Sequence, residues 1–520
     1  MSDVHDWNHH ETMNALRASQ ELVSIGLEAV QDFLRSLHGR EYTSEFVRLV
    51  HGFWIQHLCQ DVVYASLSAT QEAKRRLTDV IVPISKPHYP NAGSAGVSRV
   101  DLARRLFVEG RDVQDLMLSC VGKSQQLMPK FRHLKSDLLS TLSANSTRVW
   151  IAAPYLRQSV AEQIRIAVQS RQLIRWEEPD PVEVSPDLMN SRIRQSAYAS
   201  INGNSRGDVL RALVPLTIPV ELSEALPMIE DRTQSLRRGT TRLIYSANAH
   251  HYDACFKVAA AQMLESGARL LVHQHGGGYG IDEQHPGEMF DRSVSHRFYT
   301  WGWTEQGSGS LTKPLPTAPR GKRREPDSHY LLVAAENTRE FFRFQSFCMP
   351  THSEKCISES LSFLSEVNES HVIQLRSAPT LPFPVARIGR LMCRIQLDQS
   401  KKSALELASR AKLVIHNYLG TSWLETLAMN IPTVCFYDPA MYRPRVAAQT
   451  FIDALARVGV IHYSGKEAAK FVNSLRGEPS TWWKSAEVQE AREAFVARYA
   501  NFSDNWLEAW QEEFESLLAE

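Results

Sequence analysis

The chain has 520 residues, and 58 Lys+Arg balance 58 Asp+Glu, so its formal net charge is zero. That balance supplies no basic field for nucleic acid and no acidic bias toward a disordered chain. Hydrophobic residues at 43% and charged residues at 22% fit a globular protein with ample chain for large cores, and length alone suggests roughly two to four domains.

Seven cysteines, at 59, 120, 255, 348, 356, 393 and 435, are scattered, odd in number and free of any C-x-x-C pair. This predicts no disulfide framework and no thiolate zinc site, and it fits a reducing compartment. The polar start MSDVHDWNHHETMNALR lacks the apolar stretch of a signal peptide, and no apolar run approaches the ~20 residues that span a bilayer. The expectation is a cytoplasmic protein without a transmembrane segment, with peripheral contact at the inner face of the plasma membrane left open.

Residues 1–145 read as a helical N-terminal segment. Val23, Leu27, Val30, Leu34 and Leu37 fall on one helical face, Gly39 stops that helix, and Phe46 to Leu67 is apolar nearly all round. Residues 84–99 are rich in Pro, Gly and Ser and read as a loop. From 146 to 304 short apolar runs appear: RVWIAAPYL, TRLIYSA (241–247), RLLVHQ (269–274) and RFYTWGW (297–303). Residues 305–328, with four prolines and a basic stretch, read as a linker. Between 329 and 481, YLLVAA (330–335), HVIQL (371–375), KLVIHN (412–417), PTVCFY (432–437) and the weaker VGVIHY (458–463) alternate with helix-compatible segments. Near-continuous apolar strands separated by helices predict a parallel sheet covered on both faces. Residues 482–520 form a helical tail carrying Trp482, Trp483, Trp506 and Trp510.

Three constellations could carry chemistry. In Val272-His-Gln-His-Gly-Gly-Gly-Tyr-Gly280 an apolar strand runs into three glycines, which suits close backbone approach or positive φ, an anion nest, and a ligand beyond the strand ends. His273, Gly276, Gly277 and Gly278 are therefore placed near substrate, although Ile281 breaks the dinucleotide fingerprint, and a plain tight turn is the alternative. His250, His251 and Asp253 follow the strand 241–247 and would share a sheet edge with His273 and His275. Their spacing matches no standard zinc signature, so no metal is expected, and a general-base histidine or loop hydrogen bonding are the readings left. HGGG also occurs in esterases, and Gly203-Asn-Ser-Arg-Gly207 fits G-x-S-x-G. There HGGG precedes the nucleophile, whereas here it follows, and no strand leads into Gly203.

The third constellation is KLVIHN followed by Tyr418-Leu-Gly-Thr-Ser-Trp-Leu-Glu-Thr-Leu-Ala-Met-Asn430. Gly420, Thr421 and Ser422 close a strand and open a helix, where Thr421 or Ser422 can cap and free N–H groups favour phosphate. Glu425, one turn in, can accept two hydrogen bonds from a ribose diol, or be a solvated residue of an ordinary capped helix. Arg376, ending HVIQL, falls on the same edge and could pair with phosphate.

Together these residues resemble GT-B glycosyltransferases. More closely, the chain resembles a family of transferases encoded in bacterial O-antigen and surface-polysaccharide loci. The resemblance is carried by HGFWIQHLCQDVVYA, YSANAHHYDACFKVAAAQML, HQHGGGYG with YTWGW, YLGTSWLETLAMNIPTVCFYDP and TWWKSAEVQEAREAF. It implies an α/β fold of two Rossmann-like domains facing a cleft, an acceptor domain at 146–304 and a donor-nucleotide domain at 329–481. It also implies a metal-independent glycosyltransferase with no cofactor, taking a nucleotide sugar as donor and a saccharide or lipid-linked molecule as acceptor. In that scheme Arg376, Gly420, Thr421, Ser422 and Glu425 bind the donor, and His275 or His251 takes the acceptor proton. His416-Asn417-Tyr418-Leu419 is bulkier than many GT-B donor loops. The alternatives are a polyol-phosphate transferase using a CDP-activated donor and a non-catalytic scaffold.

Overall fold

The computed structural model describes residues 7–68, 79–83, 99–108, 117–121, 149–151, 174–176, 184–234, 241–305, 311–319, 321–334, 352–368, 372–377, 395–400 and 402–520. Contacts divide the chain into two compact units. One comprises Met1–Met13, Gly276–Glu288 and Tyr299–Trp510; the other comprises Asn14–His275, Met289–Phe298 and Gln511–Glu520.

The strands, in chain order, are β1 Asp79–Pro83, β2 Met117–Val121, β3 Val149–Ile151, β4 Ile174–Trp176, β5 Leu243–Ser246, β6 Arg269–His273, β7 Arg297–Thr300 and β8 Thr312–Pro314. They continue with β9 Tyr330–Ala334, β10 Ile373–Ser377, β11 Ile395–Leu397, β12 Leu413–His416, β13 Thr433–Phe436 and β14 Ile461–His462.

One sheet has the order β11-β10-β9-β12-β13-β14, and its pairings are parallel. Counted from β9 this is 3-2-1-4-5-6, the doubly wound order in which the chain reverses direction between β9 and β12. The sequence explains why both faces are covered. Tyr330, Leu332 and Ala334 pack into one core with Ile415 and Phe436, while Leu331 and Val333 pack into another with Leu407, Val414 and Ile431. Alternate residues of a strand point to opposite faces, so a strand buried on both reads as an unbroken apolar run.

The other sheet has the order β4-β3-β5-β6-β7-β8. β3 pairs in parallel with β4 and β5, and β5 pairs in parallel with β6, Ser246 lying opposite Val272. Its direction reverses between β3 and β5. Helix Ser44–Ser68 is buried along nearly all of its length, as its continuous apolar sequence predicts, and Gly39 ends the preceding helix in the left-handed conformation, φ 67°.

Several expectations change. The segment 1–145 is not wholly helical, because β1 and β2 form a parallel pair within it. The three-residue β4 and β11 carry no apolar run long enough to stand out. The stretch 305–328 holds β8, and Thr317 donates its backbone N–H to Asn501, so much of the expected linker is built into the fold. Cys356 is in a disulfide, whereas Cys59, Cys255 and Cys435 are buried and outside any disulfide. The loop expected at 84–99 lies outside the described residues except for Arg99, which opens helix Arg99–Val108 and bonds Asp61 at 2.7 Å. Among the described residues, no helix is long and apolar enough to cross a membrane.

Candidate functional site

β12 ends at His416, beside the reversal point of its sheet, and the chain passes through Tyr418 and Gly420 into helix Thr421–Ala428. The crevice at such a point is where doubly wound sheets bind ligands. Trp423 and Leu424 anchor the helix; Trp423 is fully buried, its ring 4.9 Å from that of Phe495. Thr421, Ser422 and Glu425 remain partly exposed.

Neither hydroxyl caps this helix. Gly420 is the N-cap and no side chain closes the helix start. The Thr421 hydroxyl instead accepts a hydrogen bond of 2.8 Å from the Gly277 backbone N–H, and Ser422 pairs with the Tyr418 hydroxyl at 3.2 Å. Two motifs 144 residues apart, the glycine run and the Gly-Thr-Ser, therefore meet within one unit. A hydroxyl that accepts one bond still has its proton to donate.

The meeting explains two of the glycines. A Cβ at Gly277 would stand 2.6 Å from the carbonyl carbon of Gly420 and from the nitrogen of Thr421, and backbone atoms cannot step aside. Gly278 has φ +89°, and a Cβ there would also strike Asp282 and His285. The close approach expected of this run is thus to the protein's own backbone. Gly277→Ala is expected to cost about 2–3 kcal/mol, read by urea denaturation. A loss below about 0.5 kcal/mol would mean the contact yields freely.

The rest of the loop is pinned by groups that its sequence does not advertise. Glu288 accepts from the Gly280 N–H at 2.9 Å and pairs with Arg445 Nη2 at 2.9 Å. Tyr442 donates to Asp282 at 2.6 Å. Burial pushes the Asp282 carboxyl up to about 6, against the opposing pull of Tyr442 and Arg445.

Arg376 is on the expected sheet edge, opposite Val333 of β9, but its guanidinium is engaged. Nη1 donates to Asp398 at 2.8 Å and Nη2 to the Lys402 carbonyl at 3.1 Å. An ion pair with Asp398 satisfies the charge that was to meet phosphate.

In the other unit β5 and β6 are neighbours, so the histidine groups do share an edge. His273 is buried, its Nδ1 3.0 Å from the Tyr245 hydroxyl. Asp253 caps helix Ala254–Glu265 by accepting from the Phe256 N–H at 2.9 Å, so it is a helix-capping group. The acid that meets the histidines is Asp291: its Oδ1 lies 2.7 Å from His250 Nε2 and 2.5 Å from His251 Nε2, all three side chains being fully buried. Burial would raise Asp291, but His251 and then His250 outweigh it and hold the carboxyl well below the usual carboxylate range. His251 is thereby closed to an acceptor. His275 alone of this set has an accessible side chain, 13% exposed, with Nδ1 4.0 Å from Asp291 Oδ2. The 203–207 match is a capping box, Ser205 and Asp208 starting helix Arg206–Thr217.

His416 gives a pH signature. Burial pushes its imidazole down to about 3, from 6.5 in the unfolded chain. The folded form holds it neutral, so its contribution is complete above pH 6.5 and is lost as pH falls toward 3. His51 and His352, pushed down to about 4 mainly by burial, act in the same sense. Asp282 and Asp61, pushed up to about 6 by burial, act oppositely, losing stability as pH rises through that value. Comparing wild type with His416→Gln isolates the one group: between pH 7 and 5 the variant should lose about 2 kcal/mol less than wild type. Equal losses in pH-stepped denaturation would show that His416 does not titrate this way.

The fold is thus of the doubly wound α/β class, with a glycine-opened helix beside the sheet's reversal point. Residues 104–514 match the model of the LIC12162 family of transferases, and the chain belongs to that family. No curated protein matches it. Among solved structures it is similar to an α,α-trehalose-phosphate synthase (UDP-forming) from Burkholderia vietnamiensis, at 11% identity and TM-score 0.39, over 72% of this chain and 97% of that one. It is also similar to Anabaena Alr3699/HepE in complex with UDP and glucose, at 11% identity and TM-score 0.39, over 72% and 99%. MurG of Acinetobacter baumannii matches at 10% identity and TM-score 0.35, over 71% and 99%.

Proposed function

We propose that this transferase is a GT-B-type glycosyltransferase moving a sugar from a nucleotide-sugar donor to a saccharide or lipid-linked acceptor, in O-antigen or surface-polysaccharide assembly at the cytoplasmic face of the membrane. The observation that carries it is the start of helix Thr421–Ala428, beside the reversal point, with no side chain capping it and Thr421 and Ser422 partly exposed. The helix start and the two hydroxyls stabilise the leaving diphosphate without a bound metal, and Glu425 receives the ribose diol. His275, the accessible histidine, takes the acceptor proton. Arg376 enters only if the diphosphate displaces Asp398.

The scaffold alternative has the aromatic tail and the helical N-terminus binding partner enzymes. Trp482, Trp483 and Trp510 instead donate to Val458, Asn430 and Pro316 inside the same unit.

Thermal shifts against UDP, GDP, CDP, CMP and dTDP in EDTA test the donor site. One nucleotide at a hundred times its dissociation constant should add ~2.7 kcal/mol. Glu425→Ala should weaken that nucleotide about tenfold at nearly unchanged Tm, a loss of ~1.4 kcal/mol of binding. Equal affinity in wild type and variant would remove Glu425 from the site. A phosphodiester product from a CDP-activated donor would replace the glycosyl reading with polyol-phosphate transfer.

A further inference from the structure

His250 and His251 lie in the short helix Ala249–Tyr252 that follows β5, and Asp291 lies in helix Pro286–Val294. The proposed donor and acceptor roles use none of the three, His251 being closed off by Asp291. Their ligand atoms all fall within 4.8 Å of one another. The His250 and His251 rings are 4.6 Å apart at 78°, and the rings of His251 and His275 are 5.0 Å apart at 82°. Near-perpendicular neighbours let several imidazoles turn nitrogen edges to one point, as a compact coordination shell requires.

Bonds of about 2.0–2.2 Å from zinc to nitrogen and oxygen place adjacent tetrahedral ligand atoms about 3.3–3.6 Å apart. Both nitrogens now stand 2.7 and 2.5 Å from Asp291 Oδ1, so receiving an ion asks each to withdraw by under about 1 Å. Two imidazoles with one carboxylate suit first-row transition metals better than calcium or magnesium, which take mainly oxygen. A buried carboxylate is costly out of water unless a cation meets it, and a divalent ion supplies that charge while leaving both rings neutral. Phe53 stacks on His251 at 3.9 Å, and Phe290 lies 5.9 Å from His250 and 5.7 Å from His251, giving the apolar wall that shields such a centre.

We propose that His250, His251 and Asp291 hold one divalent first-row transition-metal ion, of the zinc or ferrous class, with a water in the fourth position. The site joins the helix after β5 to helix Pro286–Val294. Adjacent histidines completed by an acid 40 residues onward match no local metal signature, which is why spacing alone spoke against a metal.

The test uses the full chain purified without a polyhistidine tag. Elemental analysis of the isolated protein should find about one equivalent of metal, and the chelated protein should take up about one equivalent of cobalt(II). The cobalt form should show the visible absorption of a tetrahedral centre, displaced by zinc. His250→Gln and His251→Gln should each weaken cobalt binding about 100-fold or more. The wild-type titration stands even if a variant folds poorly. A wild-type chain that is isolated without metal and takes up neither cobalt nor zinc overturns the proposal and leaves a hydrogen-bonded His–Asp–His cluster. Glu425→Ala should keep the metal and bind the nucleotide more weakly, so this inference and the donor assignment fail separately.

Discussion

Arg194→Met is expected to destabilise the protein by about 3–5 kcal/mol, because it strands a buried carboxylate. Arg194, in helix Ser191–Ala199, is fully buried and spends its guanidinium on five bonds. Nε and Nη2 hold Glu224 at 2.7 and 2.6 Å, Nη2 also reaches Ser223 at 2.9 Å, and Nη1 serves the carbonyls of Pro215 and Ile218 at 2.8 and 3.0 Å. Those carbonyls lie at the end of helix Arg206–Thr217, where the last carbonyls lack intrahelical donors. Burial drives Glu224 upward, yet the hydrogen bonds and charge of Arg194 bring its carboxyl below the ordinary value. Urea denaturation of Arg194→Met and of the double variant Arg194→Met/Glu224→Leu separates the causes. The second change should recover part of the loss, since it removes the unpaired charge. A single-variant loss under about 1 kcal/mol would mean that water or another cation replaces the guanidinium.

Arg445→Met should act on function as well as stability. It removes the cation paired with Glu288, whose side chain is 4% exposed, together with the Nε bond of 2.9 Å to the Asp282 carbonyl. The expected loss is about 2–4 kcal/mol, less than at Arg194 because Arg445 is partly open to water. Glu288 also receives the Gly280 N–H, so the loop 276–288 should loosen and release Gly277 from Thr421. Hydrogen exchange should quicken at the Gly277 and Gly280 amides, and nucleotide binding should weaken. Unchanged exchange at both amides would detach Arg445 from the loop.

The doubly wound sheet was readable from the chain because β9, β12 and β13 are buried on both faces, and a strand in that position must be apolar at every residue. β11 and β8 escaped notice because three residues with a polar or charged member carry no periodicity. The glycine run and the Gly-Thr-Ser helix start were both marked as unusual, since each departs from what its local element needs. Their partnership was not legible, because nothing local links positions 144 residues apart.

Composition, alternating strands and helices, and the residue types at strand ends determined the fold class and the neighbourhood of both candidate sites. Tertiary structure decided which group meets which. It gave the histidines Asp291 where proximity in the chain suggested Asp253, and it paired Arg376 with Asp398 where the sheet edge suggested phosphate. The physical reason is that an acid or a guanidinium takes its partner from whatever the packing brings within about 3 Å, and sequence spacing governs that distance only inside a single helix or turn.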